Sequence, residues 1–278
     1  MLTRTFCHVP GIGPKTERHL WNSGVHSWED AIGSDALPMS SGKAAQIRSH
    51  IRKSISHLER GAPGYFYEHL RSDQHWRLFS TFRDATAYLD IETTGLGGPG
   101  DHITTIVVYD GRDIFHYVHG DNLADFKKDI GRYDLIVTYN GKTFDLPFIR
   151  NTLRAPMAQA HIDLRYVLAS LGYRGGLKGC ERQLGIFRGE LADVDGYFAV
   201  LLWQDFKRKG NERALETLLA YNTLDVVDLE TLMVLAYNLK LEETPFADAL
   251  RLPVTQPPEN PFAADPETIR RLQRRYFW

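Results

Sequence analysis

The chain has 278 residues, of which 43% are hydrophobic and 24% are charged, and its formal net charge is −2. This size and composition exclude disordered and fibrous proteins and allow a full-sized core with a smaller module beside it. Two cysteines are too few for a disulfide framework or a cysteine zinc site, and no apolar run is long enough to span a bilayer. We therefore expect a cytoplasmic protein that makes no use of a membrane.

The N-terminal region is basic. Residues 1–60 contain eight Lys or Arg and five Asp or Glu. Within them, Gly11 and Gly13 form a turn in front of a helical pattern, where free backbone N–H groups can bind an anion. Lys15 and Arg18 supply positive charge nearby. The stretch resembles the helix-hairpin-helix module, which implies a grip on nucleic-acid phosphates without base reading. The alternative is a tight loop between two structural helices.

Composition changes along the chain predict four regions. We expect a helix-hairpin-helix DNA-binding module over 1–60 and a connecting segment over 61–84 that begins at the helix-breaking sequence GAPG. An α/β domain follows over 85–245. A proline-rich linker and a basic, aromatic C-terminal helix occupy 246–278. The arginines of that helix could contact nucleic acid or dock on the protein's own acidic surface.

Alternation of strands and helices indicates the α/β class for the central region. The pattern predicts strands over 86–92, 102–110, 113–118 and 135–139, and mostly helical structure over 161–250.

Acidic residues interrupt the apolar elements of this region. Asp90 and Glu92 are two apart in the first strand, so both carboxylates leave the same face. Two like charges in a buried strand need a compensating partner, and a divalent cation is the usual one. The alternative is a solvated edge strand with two exposed acids.

Two further acids stand in comparable places. Asp145 follows the strand over 135–139, and Asp225 lies on an apolar helix four residues after Tyr221, on the same face. Another acid, Asp163, could support the metal ligands from behind or cap a helix, and we favour the cap or another structural role.

These motifs resemble the DEDD superfamily of 3′–5′ exonucleases, which have the DnaQ-like ribonuclease H fold. LDIETTG matches its DxE motif, Asn140 to Asp145 matches the second motif, and Tyr221 to Asp225 matches the tyrosine form of the third. Over about residues 85–240 the chain is most similar to the YprB-like group. Members of that group often have His where this chain has Tyr221.

The resemblance implies a ribonuclease H-like mixed sheet flanked by helices and two Mg²⁺ or Mn²⁺ ions. Asp90 would bridge both ions, Glu92 and Asp225 would hold the ion that binds the nucleophile, and Asp145 would hold the second ion. Tyr221 would hydrogen-bond the attacking water.

The implied activity is 3′–5′ exonuclease hydrolysis of single-stranded DNA or frayed 3′ ends, with nucleoside 5′-monophosphates as products. Asn140 and Lys142 would contact the nucleic acid. The alternatives are an RNA exonuclease, a structure-selective endonuclease of the ribonuclease H kind, and a non-catalytic nucleic-acid-binding adaptor.

Overall fold

The computed structural model describes residues 1–191 and 195–276. Its strands are β1 Thr86–Thr93, β2 Ile103–Tyr109, β3 Ile114–Val118, β4 Leu135–Thr138 and β5 Ala160–Asp163. Its α-helices are α1 Pro14–Asn22, α2 Trp28–Gly33, α3 Ser41–Glu59, α4 Pro63–His69, α5 Phe79–Phe82, α6 Phe126–Asp129, α7 Asp145–Leu153, α8 Leu164–Ser170, α9 Gly176–Gln183, α10 Gly196–Lys209, α11 Glu212–Leu241, α12 Ala247–Leu250 and α13 Pro266–Tyr276. In the described part of the chain, no helix combines the length and the apolar character that crossing a bilayer requires.

The five strands form one mixed sheet in the order β3-β2-β1-β4-β5. β1 pairs antiparallel with β2 and parallel with β4, and β4 pairs parallel with β5. Helices cover both faces of the sheet, so the predicted ribonuclease H-like α/β fold is confirmed.

Strand alternation divides the core into two layers. Ala87, Leu89 and Ile91 point toward the layer that contains α6 and α7. The intervening side chains, beginning with Tyr88, point toward the layer that contains α11. Because Asp90 and Glu92 share this second parity, both acids face the long helix.

One predicted helical stretch is wrong. The segment HIDL was expected to be helical, but Ala160–Asp163 is strand β5, in register with β4 from Leu135↔Ala160 to Thr138↔Asp163. A four-residue segment carries too little periodicity to separate strand from helix, and pairing with β4 decides its conformation. The predicted cap is confirmed, because Asp163 accepts from Arg165 N at the start of α8.

The N-terminal helices pack against the rest of the protein through a buried acid. Glu17 in α1 accepts hydrogen bonds from Thr5 Oγ1 at 2.6 Å and from Phe6 N at 2.7 Å. It also forms an ion pair of 2.7 Å with Arg77, which is 4% exposed. Apolar residues of 1–60 belong to the same buried cluster as side chains of the sheet and α11. The division into separate domains therefore stays a prediction.

The C-terminal helix, α13, packs against the rest of the protein. Ile269 and Leu272 are buried in a cluster with side chains of α10 and α11. Arg271 donates to both carboxylate oxygens of the buried Asp205, at 3.1 and 2.5 Å. Docking, one of the two alternatives for this helix, therefore occurs, while Arg270 and Arg274 remain exposed. Phe277 and Trp278 lie outside the described residues.

Arg77→Met should lower the free energy of unfolding by about 3–5 kcal/mol, because the buried Glu17 carboxylate would lose its counter-charge. Urea unfolding followed by circular dichroism measures this change. The matched control is Arg251→Met, since the Arg251–Glu242 pair is 56% and 53% exposed and should be worth at most ~1 kcal/mol. Equal losses in the two variants would contradict a special role for Glu17–Arg77.

Candidate metal centre

The sheet opens where the acids lie. β1 pairs with β4 only from Thr86 to Tyr88, whereas its pairing with β2 continues to Thr93. The β4-facing edge of β1 is therefore free beyond Tyr88, which creates a crevice at the carboxyl ends of two parallel strands. Open α/β sheets commonly bind ligands at such a place.

Three of the four candidate acids converge in this crevice. One carboxylate oxygen from each of Asp90, Glu92 and Asp225 lies within 4.8 Å of the other two. β1 supplies the first two and α11 supplies the third. Glu92 and Asp225 are buried, and Asp90 is partly buried. The sequence separation of more than 130 residues is closed by the packing of α11 on β1.

Asp145 completes the acidic lining from the other side. It is the first residue of α7 and is 3% exposed. Its Oδ1 accepts from Ile91 N at 3.3 Å, on the edge of β1 that β4 leaves free. The turn that delivers it is tight, since a Cβ on Gly141 would lie 2.2 Å from Thr138 Oγ1. Only glycine fits there without displacing β4.

All four acids line one cavity of about 920 Å³. Tyr221 also lines it and is 5% exposed. The aromatic side chains on its walls and rim are Tyr139, Phe144, Tyr173 and Tyr197. Arg165 and Arg174 contribute positive charge. An acidic floor with aromatic and basic walls suits a ligand that combines negative charge with planar rings.

A buried amide fixes Asp90. Asn222 Nδ2 donates to Asp90 Oδ2 at 2.7 Å, and Asn222 Oδ1 accepts from Thr105 Oγ1 at 3.0 Å. An ionised carboxylate only accepts hydrogen bonds, so the NH₂ group of Asn222 faces Asp90 and the amide oxygen faces the Thr105 hydroxyl, which donates. Thr105 on β2 thus holds Asn222 in place, and Asn222 in turn holds Asp90.

A buried arginine contacts Asp225. Arg188 pairs with Asp225 Oδ1 and donates twice to Glu181 of α9, at 2.5 and 2.6 Å. Burial alone would lower the pKa of Arg188, but the charges of Asp225 and Glu181 raise it above its ordinary value. The guanidinium is therefore a permanent cation behind the acid cluster.

Burial and mutual repulsion raise the pKa values of the remaining acids. Burial, followed by the charges of neighbouring carboxylates, raises the pKa of Asp90 and of Glu92 well above their ordinary values. Burial raises the pKa of Asp145 to about 7, although two backbone N–H donors oppose the change. Burial, with the charges of Asp225 and Glu92, also raises the pKa of Tyr221.

The residues present fit divalent cations. Among the described residues, ion pairs neutralise several other buried acids, namely Glu17, Glu181 and Glu230, but none reaches Asp90, Glu92 or Asp145. Carboxylate oxygens at this spacing are the hard ligands that Mg²⁺ and Mn²⁺ prefer. A cation would remove the repulsion that raises the pKa values of these side chains. Asp90, Glu92 and Asp225 would hold one ion, and Asp145 is placed to help hold another.

The residues that were predicted to contact nucleic acid lie in three places. Asn140, with φ of 68°, lines the acidic cavity and accepts from Arg165 Nη1 at 2.5 Å. Lys142 instead lines a neighbouring cavity of about 710 Å³ and donates to Ser72 Oγ at 2.9 Å. The N-terminal four are exposed around the start of α1, and Gly11 has φ of 77°. They are Gly11, Gly13, Lys15 and Arg18.

Sequence reasoning missed Thr105, Arg188 and Asn222. The signal for Asn222 was available, since a polar side chain beside Tyr221 on an apolar helix needs a buried partner. Neither Thr105 nor Arg188 belongs to the three acid-bearing motifs, although Arg188 ends the stretch LKGCERQLGIFR that contributes to the family resemblance. Only the packing of β2 and of the segment after α9 brings these two residues to the acids.

One family model and two known proteins match parts of this chain. A model of the RNase H superfamily matches residues 87–237. The uncharacterised protein YprB of Bacillus subtilis strain 168 is 32% identical over 169 residues, which are 53% of this chain and 40% of that protein. The family B DNA polymerase of Pyrobaculum calidifontis aligns over 57% of this chain and 28% of its own, with 18% identity and a TM-score of 0.37. The chain thus spans less than half the length of either protein.

Thr105→Val should weaken Mn²⁺ binding by ~10-fold, because Asn222 would lose the hydroxyl that fixes its amide and Asp90 would lose its orientation. Isothermal titration calorimetry measures the dissociation constant. The control is Thr104→Val, which removes a neighbouring buried hydroxyl that has no hydrogen-bond partner in the described part of the chain. An unchanged Mn²⁺ dissociation constant in Thr105→Val would show that Thr105 does not orient Asp90 through Asn222.

Mn²⁺ affinity should rise with pH between 6 and 8. Burial raises the pKa of Asp145 to about 7, so this carboxyl is largely protonated at pH 6 and must lose its proton to bind an ion. The pKa values of Asp90 and Glu92 are raised in the same direction. Each released proton changes the affinity by about tenfold per pH unit below its pKa. Calorimetry in two buffers of different ionisation enthalpy counts the protons. A dissociation constant that is flat from pH 6 to 8 would contradict the raised pKa values.

Proposed function

The chain belongs to the RNase H superfamily, and from this premise we propose that it is a metal-dependent 3′–5′ exonuclease. It would hydrolyse phosphodiester bonds of single-stranded DNA or frayed 3′ ends and release nucleoside 5′-monophosphates. One observation carries the proposal above all. Asp90, Glu92 and Asp225 lie close enough together to bind a single cation, in a cavity that is also lined by Asp145 and Tyr221.

The four acids would hold two divalent ions, which when bound supply activation of water and stabilisation of the leaving 3′-oxygen. The charges of Asp145, Asp225 and Glu92 all raise the pKa of Asp90, which supports Asp90 as the carboxylate that would be shared by both ions. Asn222 would keep it in that orientation. Hard oxygen ligands favour Mg²⁺ or Mn²⁺ over softer metals.

Tyr221 would orient the attacking water rather than remove its proton. Burial and the nearby carboxylates raise the pKa of its hydroxyl, so the group stays protonated at neutral pH. A protonated phenol can donate one hydrogen bond and accept another, which fixes the direction of a water molecule.

The cavity walls support a single-stranded substrate. Tyr139, Phe144, Tyr173 and Tyr197 offer faces on which bases can stack, a mode that tolerates any sequence. Arg165 and Arg174 stand where they can contact backbone phosphates. Leu96 at the rim is 93% exposed and adds an apolar contact for a terminal base.

The N-terminal hairpin would add affinity for the nucleic-acid backbone. Gly11 and Gly13 are exposed at the turn before α1, and Lys15 and Arg18 are exposed on its first turns. This arrangement suits phosphate binding by backbone N–H groups and point charges. Deleting residues 1–60 would also remove Glu17 and the shared core, so point variants are the appropriate test.

Wild-type protein should shorten a 5′-labelled oligonucleotide one nucleotide at a time in Mn²⁺, while a 3′-labelled one loses its label at once. Asp90→Asn should abolish activity, because the shared carboxylate would lose its charge. Tyr221→Phe should lower kcat by ~10²-fold or more and leave the Mn²⁺ dissociation constant within about twofold of wild type.

The outcomes separate the alternatives. Cleavage of a circular single strand would identify an endonuclease, and faster turnover of RNA would identify an RNA exonuclease. Failure to degrade any of these substrates in Mg²⁺ or Mn²⁺, with intact binding of nucleic acid, would identify a non-catalytic adaptor.

Lys15→Glu/Arg18→Glu should raise KM for a single-stranded oligonucleotide and leave kcat unchanged, because only backbone affinity is affected. The slope of log affinity against log salt should become shallower by about 1.4, for two lost phosphate contacts at ~0.7 each. The control is Lys127→Glu/Lys128→Glu, the same charge change at exposed positions of α6, on the sheet face opposite α11. An equal effect of both variants would show general charge rather than a hairpin site.

A further inference from the structure

We infer that Arg188, held by Glu181, is a positioning residue that fixes the carboxylate of Asp225 for metal binding. The inference rests on the proposed metal centre and adds to it a function for two residues outside the three acid-bearing motifs. It concerns an ion pair with no net charge that lies behind the acids, rather than the metal ligands themselves.

The contacts define a rigid unit. The side chains of Arg188 and Glu181 are 4% and 1% exposed. Arg188 Nε donates to Glu181 Oε2 at 2.5 Å, and Arg188 Nη2 donates to Glu181 Oε1 at 2.6 Å. This two-bond contact uses one edge of the planar guanidinium and fixes its plane. The remaining nitrogen, Nη1, forms an ion pair with Asp225 Oδ1.

Orientation is what Asp225 needs. It projects from one helix toward two acids on a strand, and repulsion from Asp90 and Glu92 favours rotation away from them. Contact with Arg188 at Oδ1 restricts that rotation and leaves the second oxygen for an ion. Arg188 does not line the acidic cavity among its described residues, so it acts through Asp225 and not on the substrate.

Charge alone does not explain the arrangement. Glu181 and Arg188 together carry no net charge, so the pair leaves the total attraction for cations unchanged while it adds a direction. A cation whose purpose was to neutralise Asp225 would have no need of a second buried acid, whose desolvation is costly. Because Arg188 and Glu181 carry opposite charges, removing them singly and together separates an effect of charge on Mn²⁺ affinity from an effect of orientation.

Three variants separate orientation from charge: Arg188→Met, Glu181→Gln and the double variant Arg188→Met/Glu181→Gln. If charge alone mattered, the first would bind Mn²⁺ more tightly, the second more weakly, and the double variant like wild type. If Arg188 positions Asp225, all three bind Mn²⁺ ~10-fold or more weakly. Arg188→Lys keeps the charge but cannot bond both carboxylates in the same geometry, so it should also bind weakly.

The measurement is Mn²⁺ binding by calorimetry without nucleic acid, with thermal unfolding in EDTA to establish that each variant is folded. The double variant replaces a buried ion pair by neutral side chains of similar size, so it should fold even if Arg188→Met does not. The matched control is Arg83→Met/Glu230→Gln, which removes another arginine–glutamate pair, 2.7 Å long, between the segment before β1 and α11 and away from the acids.

The results are distinguishable. Weakened binding in the double variant with an unchanged control supports positioning by Arg188. Wild-type affinity in the folded double variant would overturn it and leave the metal centre intact. If wild type itself bound no Mn²⁺, both the inference and the proposed metal centre would be overturned together.

Discussion

Repulsion among four carboxylates at one opening of the sheet is the constraint on which this site depends. Asp90, Glu92, Asp145 and Asp225 come from a strand and two helices, and burial weakens the screening between them. Hydrogen bonds and an ion pair from neighbouring groups hold three of these carboxylates in place. Asn222 bonds Asp90, the Ile91 N–H bonds Asp145, and Arg188 bonds Asp225.

Buried acids elsewhere in the described chain show what a structural role looks like. Glu17, Glu181 and Glu230 each pair with an arginine, so the desolvated charge is neutralised within the protein. Asp90 and Glu92 have no such ion pair in the described residues. Asp90 and Glu92 therefore differ from these three acids, whereas Asp225 combines both features, since it pairs with Arg188 and also lies within the acid cluster.

The long helix α11 connects these functions. Its Tyr221, Asn222 and Asp225 face the acids of β1, while Glu230 lies near the other end of the same strand and pairs with Arg83. A rigid helix packed along a strand fixes the spacing of all these side chains together. Tight packing of this kind favours a preorganised site, in which ligands need little rearrangement to surround an ion.

The sequence by itself determined the α/β class, most strands and the identity of the acids, because alternation, apolar helices and the spacing of Tyr221 and Asp225 are local properties. It did not determine strand β5, since four residues carry too little periodicity and their pairing with β4 is non-local. Nor did it determine Arg188 or Thr105 as partners of the acids. Only the tertiary structure decides such contacts, because they join segments distant in sequence whose approach depends on packing.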